Sequence, residues 1–213
     1  AAAIAPSGAH PPQGGASQDR ASVIASPALP AGGVPGATVE GLTRSFSQAR
    51  HIAVTALPEL EAWVARAREA GVVAVDTETD SLDPMRARLV GFSLCVEPGE
   101  ACYVPLQHGA GGGLDLDQAA THAQIPLGDA LACLKPLLED PAVLKVGQNL
   151  KYDMLVFARH GLRLTAIDDT MLISYALDAG LHGHGMDELS ELHLGHKPIS
   201  FAEVAGTGKA QIT

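Results

Sequence analysis

Val72-Val73-Ala74-Val75-Asp76-Thr77-Glu78-Thr79-Asp80 sets two acids one residue apart at the end of an apolar run. Residues two apart on a strand share a face. Asp76 and Glu78 are therefore expected to point the same way, at the end of a strand whose preceding residues read as buried on both faces. Carboxylates held this close repel unless a cation lies between them, and paired oxygen ligands suit Mg²⁺ or Mn²⁺. An ordinary turn, in which Asp and Thr cap the chain, is the alternative that the residues alone leave open.

Outward from that strand the pattern alternates between the two regular structures. Before it, His51 to Val54 reads as a short edge strand, and Pro58 opens a helix carrying Leu57, Leu60, Trp63, Val64 and Ala67 that ends at Gly71. After it come strands at Leu89 to Val96 and Ala101 to Leu106, joined in a hairpin at Pro98-Gly99. Three strands in succession predict an antiparallel start to the sheet. His108 to Gln124 is rich in Gly and Asp and reads as a loop.

Pro126 opens the next helix, with Leu127, Ala130, Leu131, Leu134, Leu137 and Leu138 on its apolar side and Pro136 as a candidate kink. A short buried strand at Leu144 to Gly147 feeds Gln148-Asn149-Leu150-Lys151-Tyr152-Asp153, which reads as the start of a helix to about His160. Asn149 and Asp153 are four apart and are expected on one face of that helix. Ile167 to Asp169 leads into a helix through Ala176, another spans Met186 to Leu194, and Ser200 is placed to cap a further short one. Strands followed by helix–strand alternation predict an α/β fold with a mixed sheet covered by helices.

The chain has 213 residues and a net charge of −10. From Ala1 to about Val39 it is dominated by Ala, Gly, Pro and Ser without apolar period, so 1–45 reads as a flexible linker and 46–213 as one folded domain. There is no initiator Met and no closing pattern at Gln211-Ile212-Thr213, so both ends are expected to be cut. No apolar run approaches the ~20 residues of a membrane span, and no signal peptide is legible, which predicts a cytoplasmic protein. The acidic charge excludes little, because cations bound to acids reverse the local field that a phosphate meets.

Together Asp76, Glu78 and Asp153 make a candidate site for two divalent ions, which at a spacing of ~4 Å suit phosphoryl chemistry. At this point the sequence becomes recognisable. Val75-Asp76-Thr77-Glu78-Thr79-Asp80-Ser81-Leu82, Leu137-Leu138-Glu139-Asp140 and Lys145-Val146-Gly147-Gln148-Asn149-Leu150-Lys151-Tyr152-Asp153 carry the likeness. Asp169-Thr170-Met171-Leu172 with Ser174-Tyr175, Met186-Asp187 and the tail from His196-Lys197 to Gly208-Lys209 extend it. From about residue 48 onward the chain resembles the 3′→5′ exonuclease (proofreading) domain of the bacterial DNA polymerase I family, family A, within the Asp-Glu-Asp-Asp (DEDD) exonucleases.

The resemblance implies a ribonuclease-H-like fold and two Mg²⁺ or Mn²⁺ ions per site. Asp76 would bridge the metals, Glu78 would bind the more tightly held one, and Asp153 would act on the second, partly through water. Thr77, Gln148, Asn149 and Tyr152 would line the nucleic-acid site, and Leu82 would wedge between the last two bases of the primer. The implied partners are a single-stranded or frayed 3′ DNA end and, in the parent chain, a 5′-nuclease domain and a polymerase domain, in a bacterial cytoplasm at the nucleoid. The family's third motif, Tyr-x-x-x-Asp, does not occur, since Tyr175 and Asp178 have the wrong spacing. A C-terminally truncated exonuclease domain is therefore expected. Two rivals are an exonuclease-fold scaffold without activity and an RNA-trimming relative of the same superfamily.

Other residues have plainer readings. His182, His184, His193 and His196 invite zinc but stand among Gly residues without structural-zinc spacing. Gly111-Gly112-Gly113 lacks the Lys-Ser/Thr of a phosphate loop. Cys95, Cys102 and Cys133 are expected to be reduced and mostly buried. Lys145, Lys151, Arg86 and Arg88 are candidate phosphate contacts, and Asp169 before Thr170 fits a helix cap.

Overall fold

The computed structural model describes residues 49–109, 123–200 and Glu203. The expected linker over 1–45, the triple glycine and most of the tail after Ser200 lie outside the described residues. Among the described residues six strands form one sheet: β1 (Arg50–Ala53), β2 (Val72–Thr79), β3 (Leu89–Glu97), β4 (Glu100–Pro105), β5 (Leu144–Gly147) and β6 (Ile167–Asp169). Their spatial order is β1-β4-β3-β2-β5-β6. β2, β3 and β4 are antiparallel neighbours, while β1 joins β4, and β5 and β6 extend the other side, in parallel. The expected mixed sheet with an antiparallel start is what the chain forms.

Among the described residues the helices are α1 (Leu57–Ala70), α2 (Leu127–Leu138), α3 (Lys151–Arg159), α4 (Thr170–Asp178) and α5 (Met186–Leu194). α1 has Pro in its first turn and stops at Gly71, whose φ of 71° a glycine adopts without strain. Pro136 falls in the last turn of α2, so α2 ends two residues later.

The core lies on one side of the sheet. Val73 and Val75 of β2, Phe92 and Leu94 of β3 and Val104 of β4 form one apolar cluster with residues of α1, α2 and α3. Trp63, Leu134 and Phe157 are among the helical contributors. The expectation that β2 is buried on both faces is corrected: Val73, Val75 and Thr77 are buried, but Val72, Ala74 and Glu78 are exposed and Asp76 is half-buried. The apolar run is therefore read by strand alternation, with a second face left open toward α4 and α5. A cavity of about 710 Å³ lies there, its lining including Ala74, Asp76, Val146, Ile173, Leu177 and Leu189.

A nuclease-like cluster of acids at the end of β2

Position of the acids follows from register. β5 pairs with β2 only through Val72–Leu144, Val73–Lys145 and Ala74–Val146, and then parts from it. Beyond Ala74, β2 keeps only its β3 neighbour, with Asp76 opposite Ser93 and Glu78 opposite Gly91. A crevice opens at the carboxyl ends of these two parallel strands, the usual place for ligands in α/β sheets. Gly147 permits the sharp departure, because a Cβ there would stand 2.9 Å from the Val75 carbonyl oxygen.

The turn after Gly147 corrects another expectation. Asn149 is not on α3, which begins at Lys151; it precedes the helix with a φ of 62°. Asn is among the few non-glycine residues that tolerate this left-handed conformation, so Asn149 and Asp153 do not share a helical face. The turn is clamped by Asp169, whose Oδ1 accepts from Asn149 N at 3.0 Å and whose Oδ2 accepts from Leu150 N at 2.9 Å. The same carboxylate caps α4, accepting from Met171 N at 3.0 Å and Leu172 N at 3.4 Å. The expected cap is present, and the sequence did not disclose its second task.

α3 then brings Asp153 back to β2. Asp153 lies in the first turn, where a carboxylate is favoured by the helix dipole. It is 3% exposed, and its Oδ1 accepts from Thr77 N at 2.9 Å and Thr77 Oγ1 at 2.5 Å. The Thr77 hydroxyl is thus committed to fixing Asp153. Burial, then the charges of Asp153 and Glu78, push the Asp76 carboxyl up to about 6. Burial and Asp153 also raise Glu78, while burial raises Asp153 against the opposing Thr77 hydrogen bonds.

Three acids therefore feel one another in a partly dry crevice, and a cation placed among them would relieve burial cost and repulsion together. They are spread more widely than a single closed cage. Among the described residues the three-residue group with ligand atoms all within 4.8 Å of one another is Asp178, His182 and His193. A looser spread suits ions placed side by side rather than one enclosed ion.

Around the acids, other candidates divide into those that face the crevice and those that hold it. Leu82 is 97% exposed on the loop after β2. Tyr152 Oη donates to the Ser81 carbonyl at 2.5 Å and lies 2.5 Å from Thr79 Oγ1, tying that loop to α3. Gln148 lines the cavity with Asp76, but its amide is engaged within the chain, donating to the His184 carbonyl at 2.7 Å and accepting from Thr170 Oγ1 at 2.5 Å. Asn149 Oδ1 accepts from Lys151 Nζ.

Lys145 is corrected as a phosphate contact. It is fully buried, and its ammonium donates to the Asp140 and Val143 carbonyls at 2.7 Å each. Arg88 instead pairs with Asp80 at 2.6 Å on the surface beside the Leu82 loop. The cysteines are free as expected, Cys102 buried and the other two half-buried.

Two residues near the acids were missed. Tyr103 crosses β3 where Gly91 leaves room, since a Cβ at Gly91 would meet the tyrosine ring. Its hydroxyl lies 2.5 Å from His108 Nε2. Burial, and after it Glu78, raises the Tyr103 hydroxyl to about 12, and His108 in turn favours ionised Glu78. The signal that would have found them is the pairing of Glu78 with Gly91, and of Gly91 with Pro105 in β4, which only the sheet register supplies.

A mixed six-stranded sheet, acids at the end of its central strand and a third acid from the helix after the neighbouring strand are consistent with a ribonuclease-H-like fold. Residues 51–213 match the family model described as 3′-5′ exonuclease, and the chain belongs to that family. It is 51% identical over 180 residues to a DNA polymerase I of Rhizobium leguminosarum, covering 80% of this chain and 18% of that protein. To a DNA polymerase I of Pseudomonas aeruginosa it is 45% identical over 157 residues, covering 72% of this chain and 16% of that one. The chain thus spans less than a fifth of the length of these curated relatives. In fold it is similar to Escherichia coli RNase D, described as an exoribonuclease involved in structured RNA processing. The TM-score is 0.54 at 16% identity, over 70% of this chain and 35% of that one. Among the described residues no helix is long and apolar enough to cross a membrane.

Proposed function

We propose that this chain is the proofreading portion of a longer DNA polymerase and removes nucleotides one at a time from a single-stranded or frayed 3′ DNA end. The observation that carries the reading is the convergence of Asp76, Glu78 and Asp153, each raised by burial and by another member of the set or a further acid. In the reaction water adds to phosphorus, the bond to the 3′ oxygen breaks, that oxygen takes a proton, and a nucleoside monophosphate leaves.

The acids fit divalent cations because oxygen donors suit Mg²⁺ and Mn²⁺ and because burial and mutual repulsion leave all three raised despite His108 and Thr77. Asp76, which feels the charges of both other acids, would be shared by the ions, and Glu78 and Asp153 would each help to hold one of them. Ions held there supply Lewis acidity that activates water and steadies the departing oxygen. Thr77 holds Asp153 in place, so its part is to aim a ligand. Leu82, exposed on a loop that Tyr152 tethers, would separate the terminal bases; unstacking costs a few kcal/mol, and apolar contact offsets part of it.

DNA rather than RNA is favoured by the 51% identical polymerase relative. The same relationship supports a parent chain in which residues 1–45 link a 5′-nuclease domain to this one and a polymerase domain follows, acting in a bacterial cytoplasm at the nucleoid. The test uses the full encoded protein with 5′-labelled DNA and Mg²⁺ or Mn²⁺. Stepwise shortening that disappears in Asp76→Ala supports the reading. No shortening by a folded protein would favour the scaffold, and preference for RNA of the same sequence would favour the RNA-trimming relative.

A further inference from the structure

A second cluster lies away from the three acids, at the corner where α4 gives way to α5. Asp178 closes α4, His182 stands in the connecting loop, and His193 lies in the last turn of α5. One ligand atom from each lies within 4.8 Å of the others.

His182 is prepared as a ligand. Its Nδ1 is 2.6 Å from the Gly183 carbonyl, which only accepts, so Nδ1 carries the proton and Nε2 presents its lone pair. That Nε2 is buried and without a hydrogen-bond partner among the described residues. It lies 3.7 Å from Asp178 Oδ2, too far for a hydrogen bond. Two atoms bound to one tetrahedral zinc at ~2.1 Å stand ~3.4 Å apart, which is close to that spacing. His182 Nε2 and Asp178 Oδ2 thus face each other with no hydrogen bond between them, at a spacing that a shared cation spans.

The loop fixes this orientation from behind. Gly183 N donates to Glu188 Oε1 at 2.8 Å, and any Cβ at Gly183 would run into the Glu188 carboxylate. Glu188 of α5 thus holds Gly183, the residue whose carbonyl meets His182 Nδ1. A structural need exists as well: α5 has no buried residue and α4 only Ser174, so neither helix is secured by core packing. A metal tie across loop and helices supplies what packing does not.

We propose that Asp178, His182 Nε2 and His193 bind one Zn²⁺, with water as the fourth ligand, and that this ion fastens α5 to the end of α4. Two imidazoles select zinc over the Mg²⁺ or Mn²⁺ suited to an all-oxygen set, so the two sites differ in the ion they take. The inference stands whether or not the acid cluster is a nuclease site.

The test titrates Zn²⁺, and Co²⁺ as its coloured stand-in, into the protein carrying Asp76→Ala, so that the acid cluster does not compete. One equivalent should bind, with the visible bands of tetrahedral Co²⁺ and a raised melting temperature. His193→Ala, a change at an exposed position, should weaken Zn²⁺ binding by at least about tenfold with the circular dichroism of the metal-free protein unchanged. His182→Ala should do the same. No stoichiometric Zn²⁺, octahedral Co²⁺ bands, or an affinity in either histidine variant equal to that of the protein with both histidines would overturn the assignment. Intact exonuclease activity in His193→Ala would leave the nuclease reading in place, which keeps the two failures distinct.

Discussion

Replacing Asp76 by Asn should make the metal-free protein more stable while destroying the site. Asp76 titrates at about 6 rather than near 3.8, because the crevice is partly dry and Asp153 and Glu78 are negative. The folded state therefore holds that proton more firmly than the unfolded chain. A raised carboxyl value means stability falls as pH rises, with the loss accruing between about pH 4 and about pH 6 and complete above. At ~1.4 kcal/mol per tenfold, the cost of ionisation at neutral pH is at most about 3 kcal/mol. The side chain is only half-buried, so solvent screening reduces the figure to about 1–2 kcal/mol.

Asn keeps the shape and removes the charge. For a domain of this size, 1 kcal/mol moves the melting temperature by about 2–4 °C. Melting in EDTA at neutral pH should thus show Asp76→Asn higher by roughly 2–8 °C, a gap that closes as the pH is lowered from about 6 toward 4. Adding Mg²⁺ or Mn²⁺ should raise the wild type and not the variant. If Asp76→Asn melts at or below the wild type in EDTA across that range, the claim of mutual repulsion among the three acids is refuted.

Three further outcomes are expected. Asp169→Ala removes four accepted hydrogen bonds from the Asn149 turn and the α4 cap, and should cost about 2–4 kcal/mol in urea denaturation; a loss within 0.5 kcal/mol would contradict the clamp. Leu82→Ala should leave stability unchanged, because the side chain is 97% exposed, yet slow degradation of duplex ends more than of single strands; equal slowing on both would remove its wedge role. Tyr152→Phe deletes the hydroxyl that donates to the Ser81 carbonyl and should reproduce the Leu82→Ala pattern more weakly, with about 1 kcal/mol of stability lost; unchanged duplex degradation would detach that loop from the site.

The sequence disclosed the elements because its signals were local. Gly71 after an amphipathic run marks the end of α1, and Leu144 to Gly147 has the length and apolarity of a short inner strand. It disclosed the acids for the same reason, since alternation alone puts Asp76 and Glu78 together. Readings failed where the answer depended on distant chain. Asn149 looked helical because nothing nearby reveals that Asp169, twenty residues later, holds it in a left-handed turn. Lys145 looked like a surface cation because the sequence does not show that β5 lies between β2 and β6; its carbonyl partners, Asp140 and Val143, are close by in the chain. Tyr103 and His108 became visible only when the register laid β4 beside β3 and β3 beside β2. The histidines after α4 seemed scattered until α5 folded back and brought His193 to His182.

The most direct test of the central claim is anomalous diffraction from crystals soaked in Mn²⁺. Density for manganese should lie among the carboxylates of Asp76, Glu78 and Asp153, with Asp76 shared if two ions bind, and should vanish in Asp76→Ala. Manganese absent from that crevice in the wild type, or present there unchanged in Asp76→Ala, would contradict the account.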